Sequence, residues 1–233
     1  MESKQRFRHE NKYMISKRDM DCCMSRLLKL ARPDENARDG GYYVRSLYFE
    51  DMYQSAYEEK ESGVYSRHKY RIRIYNMDRG HITLEKKIKK GPYICKESAL
   101  LSENEYDMIM KGQTGFLLSR PEPAARDFAL DCRMKLLAPE VIVDYDRIPF
   151  VYDVGNVRIT FDMNIRSVFD ELDIFCDNAP AYYVMGQDLL VMEVKYTDFL
   201  PDVFHSILPD GACRLAASKY VMCDDVKRRK GLR

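Results

Sequence analysis

The chain of 233 residues is 45% hydrophobic and 32% charged, with 38 Lys and Arg against 37 Asp and Glu, a formal net charge of +1. That much apolar material excludes a disordered chain, and the length fits one β-rich domain spanning residues 1–233. Balanced charge argues against a nucleic-acid partner, and without a long apolar run neither a spanning helix nor a secretory leader is expected, which predicts a cytoplasmic protein with no direct membrane insertion.

In chain order, "RFRHENKYMI" reads as a strand. "SKRDMDCCMSRLLKLA" reads as a helix opened by Ser16 and Asp19 at capping-box spacing, with Met20, Cys23, Met24 and Leu27 on one face. The polar loop "RPDENARDGG" leads to the aromatic and β-branched strand "YYVRSLYFED", then to a short helix in "MYQSAYEEKESG" closed by Gly63. From Tyr65 to Tyr75 the chain alternates, and after the turn-like "NMDRG" the strand "HITLEKKI" completes a hairpin. "PYICKESALLS" is a further strand, followed by helices in "ENEYDMIMKG" and "AARDFALDCRMKLL". "EVIVDYDRIPFV", "NVRITFDMNIRSV" and "LLVMEVKY" are strands, and "CRLAASKYVMCDDVKRRK" predicts a helix with a basic end. About seven or eight strands joined by short turns, with a few helices, predict an antiparallel α+β fold, closed into a barrel that leaves no sheet edge. Seven cysteines, odd in number and without a CxxC pair, predict reduced and mostly buried thiols rather than disulfides or a zinc site.

The stretch from His68 to Lys90 carries eight Lys or Arg in a nearly neutral chain. Strand side chains repeat with period two, so Tyr70, Ile72 and Ile74 share one face while Arg67, Lys69, Arg71 and Arg73 share the other. Taken alone, such a face reads as solvated. The spacing recurs, however: Glu10 and Lys12, Glu85 and Lys87, and Glu193 and Lys195 are E-x-K pairs on strands with apolar residues opposite. Tyr145 and Arg147 share a face, as do Arg158, Thr160 and Asp162. If the apolar faces are covered from outside, these charged faces converge on the lumen of a barrel. Cations enclosed in that number repel and are costly to desolvate, so the expected ligand is a polyanion. Arg and Lys suit phosphate oxygens, and interspersed carboxylates suit a divalent cation bridging them.

The motifs "RHENKYMI", "SLYFED", "RHKYRIRIY", "LEKKI", "KES", "VDYDRIPFV", "VRITFD", "MEVKY" and "SKY", in this order over nearly the whole chain, resemble the VTC (vacuolar transporter chaperone) domain. This is a polyphosphate polymerase group of the CYTH, or triphosphate tunnel metalloenzyme, superfamily. The resemblance implies an eight-stranded antiparallel tunnel with flanking helices that, with Mn2+ or Mg2+, transfers the γ-phosphate of ATP to a growing polyphosphate chain. By motif it assigns Lys219, Arg71, Arg73, Arg147 and Arg158 to catalysis by phosphate neutralisation. Substrate binding goes to Lys12, Lys69, Lys87, Lys96 and Lys195, with Tyr145 and Ser218 as neutral donors, and metal ligation to Glu193. One departure stands at the start: where the superfamily often has E-x-E-x-K, this chain has Arg8, Glu10 and Lys12, which puts a two-metal hydrolytic site in doubt. The expected form is the stand-alone, prokaryotic-type one, with ATP and polyphosphate as partners; a membrane protein that exports the product is compatible with the sequence but nothing in it encodes the contact. Two rival functions use the same lumen: a metal-dependent triphosphatase, in which water is the acceptor, and a non-catalytic polyphosphate or nucleotide binder.

Overall fold

The structure is a computed structural model that describes residues 7–37, 40–209, 212–216 and 218–231. Its strands are β1 (Arg8–Ser16), β2 (Arg32–Pro33), β3 (Tyr42–Glu50), β4 (Ser66–Tyr75), β5 (Ile82–Lys90), β6 (Tyr93–Leu101), β7 (Ala138–Tyr152), β8 (Val157–Val168), β9 (Tyr182–Tyr183), β10 (Leu189–Tyr196) and β11 (Cys213–Arg214). The helices are α1 (Lys17–Leu27), α2 (Ser55–Glu61), α3 (Glu103–Met110), α4 (Pro123–Lys135) and α5 (Lys219–Arg229). The expected α+β fold is present, and its eight long strands close into a ring. Antiparallel pairing runs β7-β3-β4-β5-β6-β1-β10-β8, and β8 pairs back onto β7. The thinnest seam is β6–β1, paired only at Arg8 with Ile94 and His9 with Tyr93.

Local chemistry sets the ends of these elements. Ser16 Oγ accepts from the Asp19 amide at 3.1 Å while Asp19 accepts from the Ser16 amide at 3.1 Å, the reciprocal cap that the spacing predicts. Gly91 turns β5 into β6 with φ of +55°, and a Cβ there would lie 2.7 Å from the Tyr65 ring, so glycine is required on both counts. One expectation needs correction. The segment from Cys213 is not helical throughout: Cys213 and Arg214 pair with Met14 and Tyr13 of β1, and the helix begins only at Lys219.

Helices cover the outer face of the ring, as the apolar strand faces require. Phe128 and Ala129 of α4 and Tyr106 and Ile109 of α3 pack on Tyr70, Ile72, Ile74, Ile82 and Leu84. Met20, Cys23 and Leu27 of α1 pack on Ile159, Phe161, Leu190 and Met192. Each fully buried Ile, Leu or Phe contributes about 1.5–3 kcal/mol relative to exposure. The third cluster lies inside the ring. Tyr220, Val221 and Cys223 of α5 pack against Val44, Val141, Val143, Tyr145, Ile165 and Val191, which sit on the same strand faces as the charged residues. Helix α5 therefore fills part of the lumen and confines the cations to the remainder.

Candidate active site

The alternation read from sequence brings its side chains together. Lys12 of β1, Lys69, Arg71 and Arg73 of β4, Lys87 of β5, Tyr145 and Arg147 of β7, Glu193 and Lys195 of β10, and Ser218 and Lys219 at the start of α5 all line one cavity, joined by Tyr48 of β3. The register explains this: Lys12 lies opposite Glu193, Arg71 opposite Tyr48 and Lys69 opposite Lys87, and opposed residues of an antiparallel pair share a face.

Four carboxylates buffer these cations. Glu10 meets Lys87 at 3.0 Å, Lys12 at 3.2 Å and Lys195 at 3.6 Å. Glu193 meets Lys195 at 3.0 Å, Arg147 at 3.5 Å, Lys12 at 3.7 Å and Lys219 at 3.9 Å. Asp162 accepts two bonds from Arg147, at 2.6 and 2.8 Å, and lies 2.5 Å from Lys219. Glu85 accepts from Arg71 Nε and from Lys96 Nζ, each at 2.6 Å. Burial alone would raise the pKa of Glu193, yet Lys195, Lys219, Lys12 and Arg147 hold it well below the usual carboxylate range.

Two cations have no such counter-ion among the described residues. Arg73 Nε donates to Ser46 Oγ at 2.9 Å and its Nη2 to Tyr145 at 3.1 Å, both neutral acceptors. Lys69 donates to Ser218 Oγ at 3.4 Å and stands 5.2 Å from the ring centres of Tyr48 and of Tyr220. Like charges also face each other in register, Lys69 against Lys87 and Arg67 against Lys89, which destabilises a strand pair unless an anion lies between them. Helix α5 adds to the field: its first turn carries no acidic residue, Ser218 caps it by accepting from the Val221 amide at 3.3 Å, and its N-terminus is set among the cations.

The remaining expected residues sit at the margin. Lys96 is half-exposed and reaches inward only through Glu85. Arg158 does not line the cavity: its side chain is one-third exposed and binds Asp34 at 2.9 Å and the Tyr42 hydroxyl at 2.9 Å, although β8 register places it on the lumen side opposite Lys195. Sequence reasoning did not assign Tyr48 and Ser46, which hold Arg71 and Arg73 through hydroxyls. Their strand offers no apolar–charged contrast, since Val44, Ser46, Tyr48 and Glu50 share one face. Asp34 lies in a loop whose pairing with β7 has no sequence signal beyond two residues.

The donor set limits how a metal ion can be held. Among the described residues no group of three or more His, Cys, Asp or Glu side chains is placed to bind a metal. A divalent cation fits here only as Mg2+ commonly does, on one protein carboxylate with phosphate oxygens completing its shell, and Glu193 is the acidic residue lining the cavity.

Burial lowers the pKa of Lys87 to about 7, against the pull of Glu10, with Lys12 lowering it further. Burial, then Lys87, Lys12 and Arg71, lower that of Lys69 as well. A bound polyanion favours the charged form of both. Tripolyphosphate affinity is therefore expected to fall as pH rises above about 7. In the ligand-free protein Lys87 acts oppositely: from about 7 up to about 9, where the thiols begin to titrate, the unfolded chain holds this proton and the folded one does not, so its contribution to stability rises with pH. Titration calorimetry and thermal melts over this range check both signs, and affinity that rises with pH would contradict the assignment.

The sequence profile of the VTC domain matches residues 7–225. A search of curated proteins gave no match. Among solved structures, a protein of Bacillus halodurans aligns at 13% identity and TM-score 0.52, covering 98% of this chain and 92% of its own. PH1819 of Pyrococcus horikoshii aligns at 13% and 0.50, covering 94% and 99%. HpAC1 of Hippeastrum, described as having a dominant triphosphatase activity, aligns at 12% and 0.51, covering 98% and 97%. These likenesses establish a shared fold. With the profile spanning nearly its full length and a closed ring of strands around a cationic lumen, the chain belongs to the VTC domain family.

Proposed function

We propose that this protein is an ATP-dependent polyphosphate polymerase that moves the γ-phosphate of ATP onto the end of a polyphosphate chain. The observation that carries this reading is the state of the lumen carboxylates: Glu10, Glu85, Asp162 and Glu193 are each engaged by two or more Lys or Arg side chains. Their Lys and Arg partners hold all four below the usual carboxylate range, which makes each a weak base for deprotonating a water molecule. A polyphosphate terminus is already an anionic nucleophile and needs alignment and charge neutralisation rather than a base, which is what a ring of fixed cations provides.

In this reading Arg71, Arg73, Arg147 and Lys219 bind the transferring and leaving phosphate oxygens, with Lys12, Lys69, Lys87 and Lys195 along the chain and Tyr145 and Ser218 as neutral partners. Glu193 would hold a divalent cation, which would supply charge withdrawal from the phosphate oxygens. Arg158 and Lys96 act from the margin. No helix of the described residues is long and apolar enough to cross a membrane, so a membrane partner would have to be a separate contact.

The triphosphatase described for HpAC1 defines the alternative to test. Purified protein incubated with ATP and Mn2+ is expected to yield ADP together with an acid-labile polymer visible on a stained gel. ADP with orthophosphate alone would replace this reading by hydrolysis, and ATP retained unchanged would leave a binder. For the metal, Glu193→Gln should raise the Mn2+ concentration needed for half-maximal turnover; an unaltered metal dependence would remove Glu193 from that role.

A further inference from the structure

Two polar atoms on the lumen side of β8 stand out because nothing holds them. Thr160 is 1% exposed, and its Oγ1 has no hydrogen-bond partner among the described residues. Two residues earlier on the same face, Arg158 Nε is also buried and unpartnered, although Nη2 of that guanidinium is committed to Asp34 and Tyr42. Register fixes their surroundings: Thr160 lies opposite Glu193 and Arg158 opposite Lys195, both of which line the cavity. Other hydroxyls of this wall are occupied, Ser46 and Tyr145 by Arg73 and Tyr48 by Arg71.

A buried hydroxyl without a partner is normally eliminated, because valine has the same shape and no polar atom to satisfy. Retained beside a cationic cavity, it has a use when something else enters. The two atoms are donors placed at i and i+2 on one strand face, and the carboxylates near them, Asp34, Asp162 and Glu193, are each already engaged by Arg or Lys. The missing partner must therefore be an acceptor with negative charge that the neighbouring Arg147 and Lys195 also attract.

We propose that Thr160 is a direct substrate contact, its hydroxyl and Arg158 Nε forming a donor pair that takes a phosphate oxygen on the β8 wall. This rests on the polyphosphate reading above and extends it to a neutral residue that neither charge nor motif singles out. Substrate contact and free-protein stability should then pull in opposite directions at position 160.

The test is titration calorimetry with inorganic tripolyphosphate on the full chain, paired with a melting curve of the free protein. Thr160→Val should bind about tenfold more weakly while melting no lower than wild type, as expected for a charged hydrogen bond made only to the ligand. Thr160→Ser, which keeps the hydroxyl, should retain the affinity. Arg158→Lys, which keeps the charge and loses the Nε donor, should weaken binding as the valine does. Unchanged affinity in Thr160→Val, or a lower melting temperature, overturns the contact alone, the latter because it would show a partner within the protein. Failure of the wild type to bind tripolyphosphate would overturn the polyphosphate reading and the contact with it.

Discussion

Replacing Arg73 with methionine is expected to lower the rate of phosphoryl transfer by about 10²- to 10³-fold while leaving the fold nearly as stable as before. Arg73 is 6% exposed, its guanidinium donates to the hydroxyls of Ser46 and Tyr145, and among the described residues no carboxylate meets it at contact distance. Burial and the nearby Arg71 oppose that charge, and Tyr145, the more distant Glu85 and Tyr75 outweigh them and hold its pKa above the ordinary value. With no carboxylate at contact distance, the guanidinium remains available to an anionic ligand and to the charge on the phosphoryl oxygens during transfer. Methionine retains the length and apolar stem, so two neutral hydroxyls lose a donor but no carboxylate is orphaned. The effect should fall on kcat at saturating ATP, with the melting temperature close to that of wild type. A variant within a few-fold of wild-type kcat would show that Arg73 is not aimed at the transferring group.

How much of this was legible in the sequence depends on whether a face had one character along its whole strand. On β4 it did: Lys69, Arg71 and Arg73 alternate with Tyr70, Ile72 and Ile74, and the structure puts the first set in the lumen and the second under α4. The E-x-K pairs followed the same rule. On β7 and β8 the face changes character midway. Val141 and Val143 precede Tyr145 and Arg147 on one lumen face: α5 packs against the two valines and Tyr145, and Tyr145 and Arg147 also line the cavity. On β8 a bulge opposite Tyr145, with Asn164 at φ of +51°, shifts the phase so that Asp162 and Ile165 both point inward. Neither feature is written in local periodicity: one comes from a helix more than 50 residues further along the chain, the other from an extra residue in a strand that alternates cleanly up to that point. The same limit explains why Tyr48, Ser46 and Asp34 were not assigned, since each matters through a partner on another strand.

The converse of the arginine experiment concerns a residue whose charge serves the fold. Asp162→Asn is expected to destabilise the ligand-free protein by about 3–5 kcal/mol, because removing one member of a buried ion group leaves the others uncompensated. Asp162 is fully buried and receives both Arg147, in a two-pronged contact at 2.6 and 2.8 Å, and Lys219 at 2.5 Å. Lys219 begins α5, so this carboxylate also fastens the inserted helix to the wall of the ring. Burial acts to raise the Asp162 pKa, and Arg147 and Lys219 overcome it and hold the group below its ordinary value of 3.8. A lowered folded-state pKa contributes stability that is complete above the unfolded value and is lost as pH falls through the folded one. Wild type should therefore lose this contribution in acid, below about pH 3.8, and the asparagine variant should lack that step. Bound phosphate changes the outcome. Tripolyphosphate offers Arg147 and Lys219 the negative charge that the variant has lost, so its melting temperature should rise more on ligand addition than that of wild type. Urea denaturation with and without tripolyphosphate measures both quantities. A variant as stable as wild type, or one that gains no more from the ligand, would mean that Arg147 and Lys219 are satisfied by other means and that the lumen's charge is balanced without Asp162.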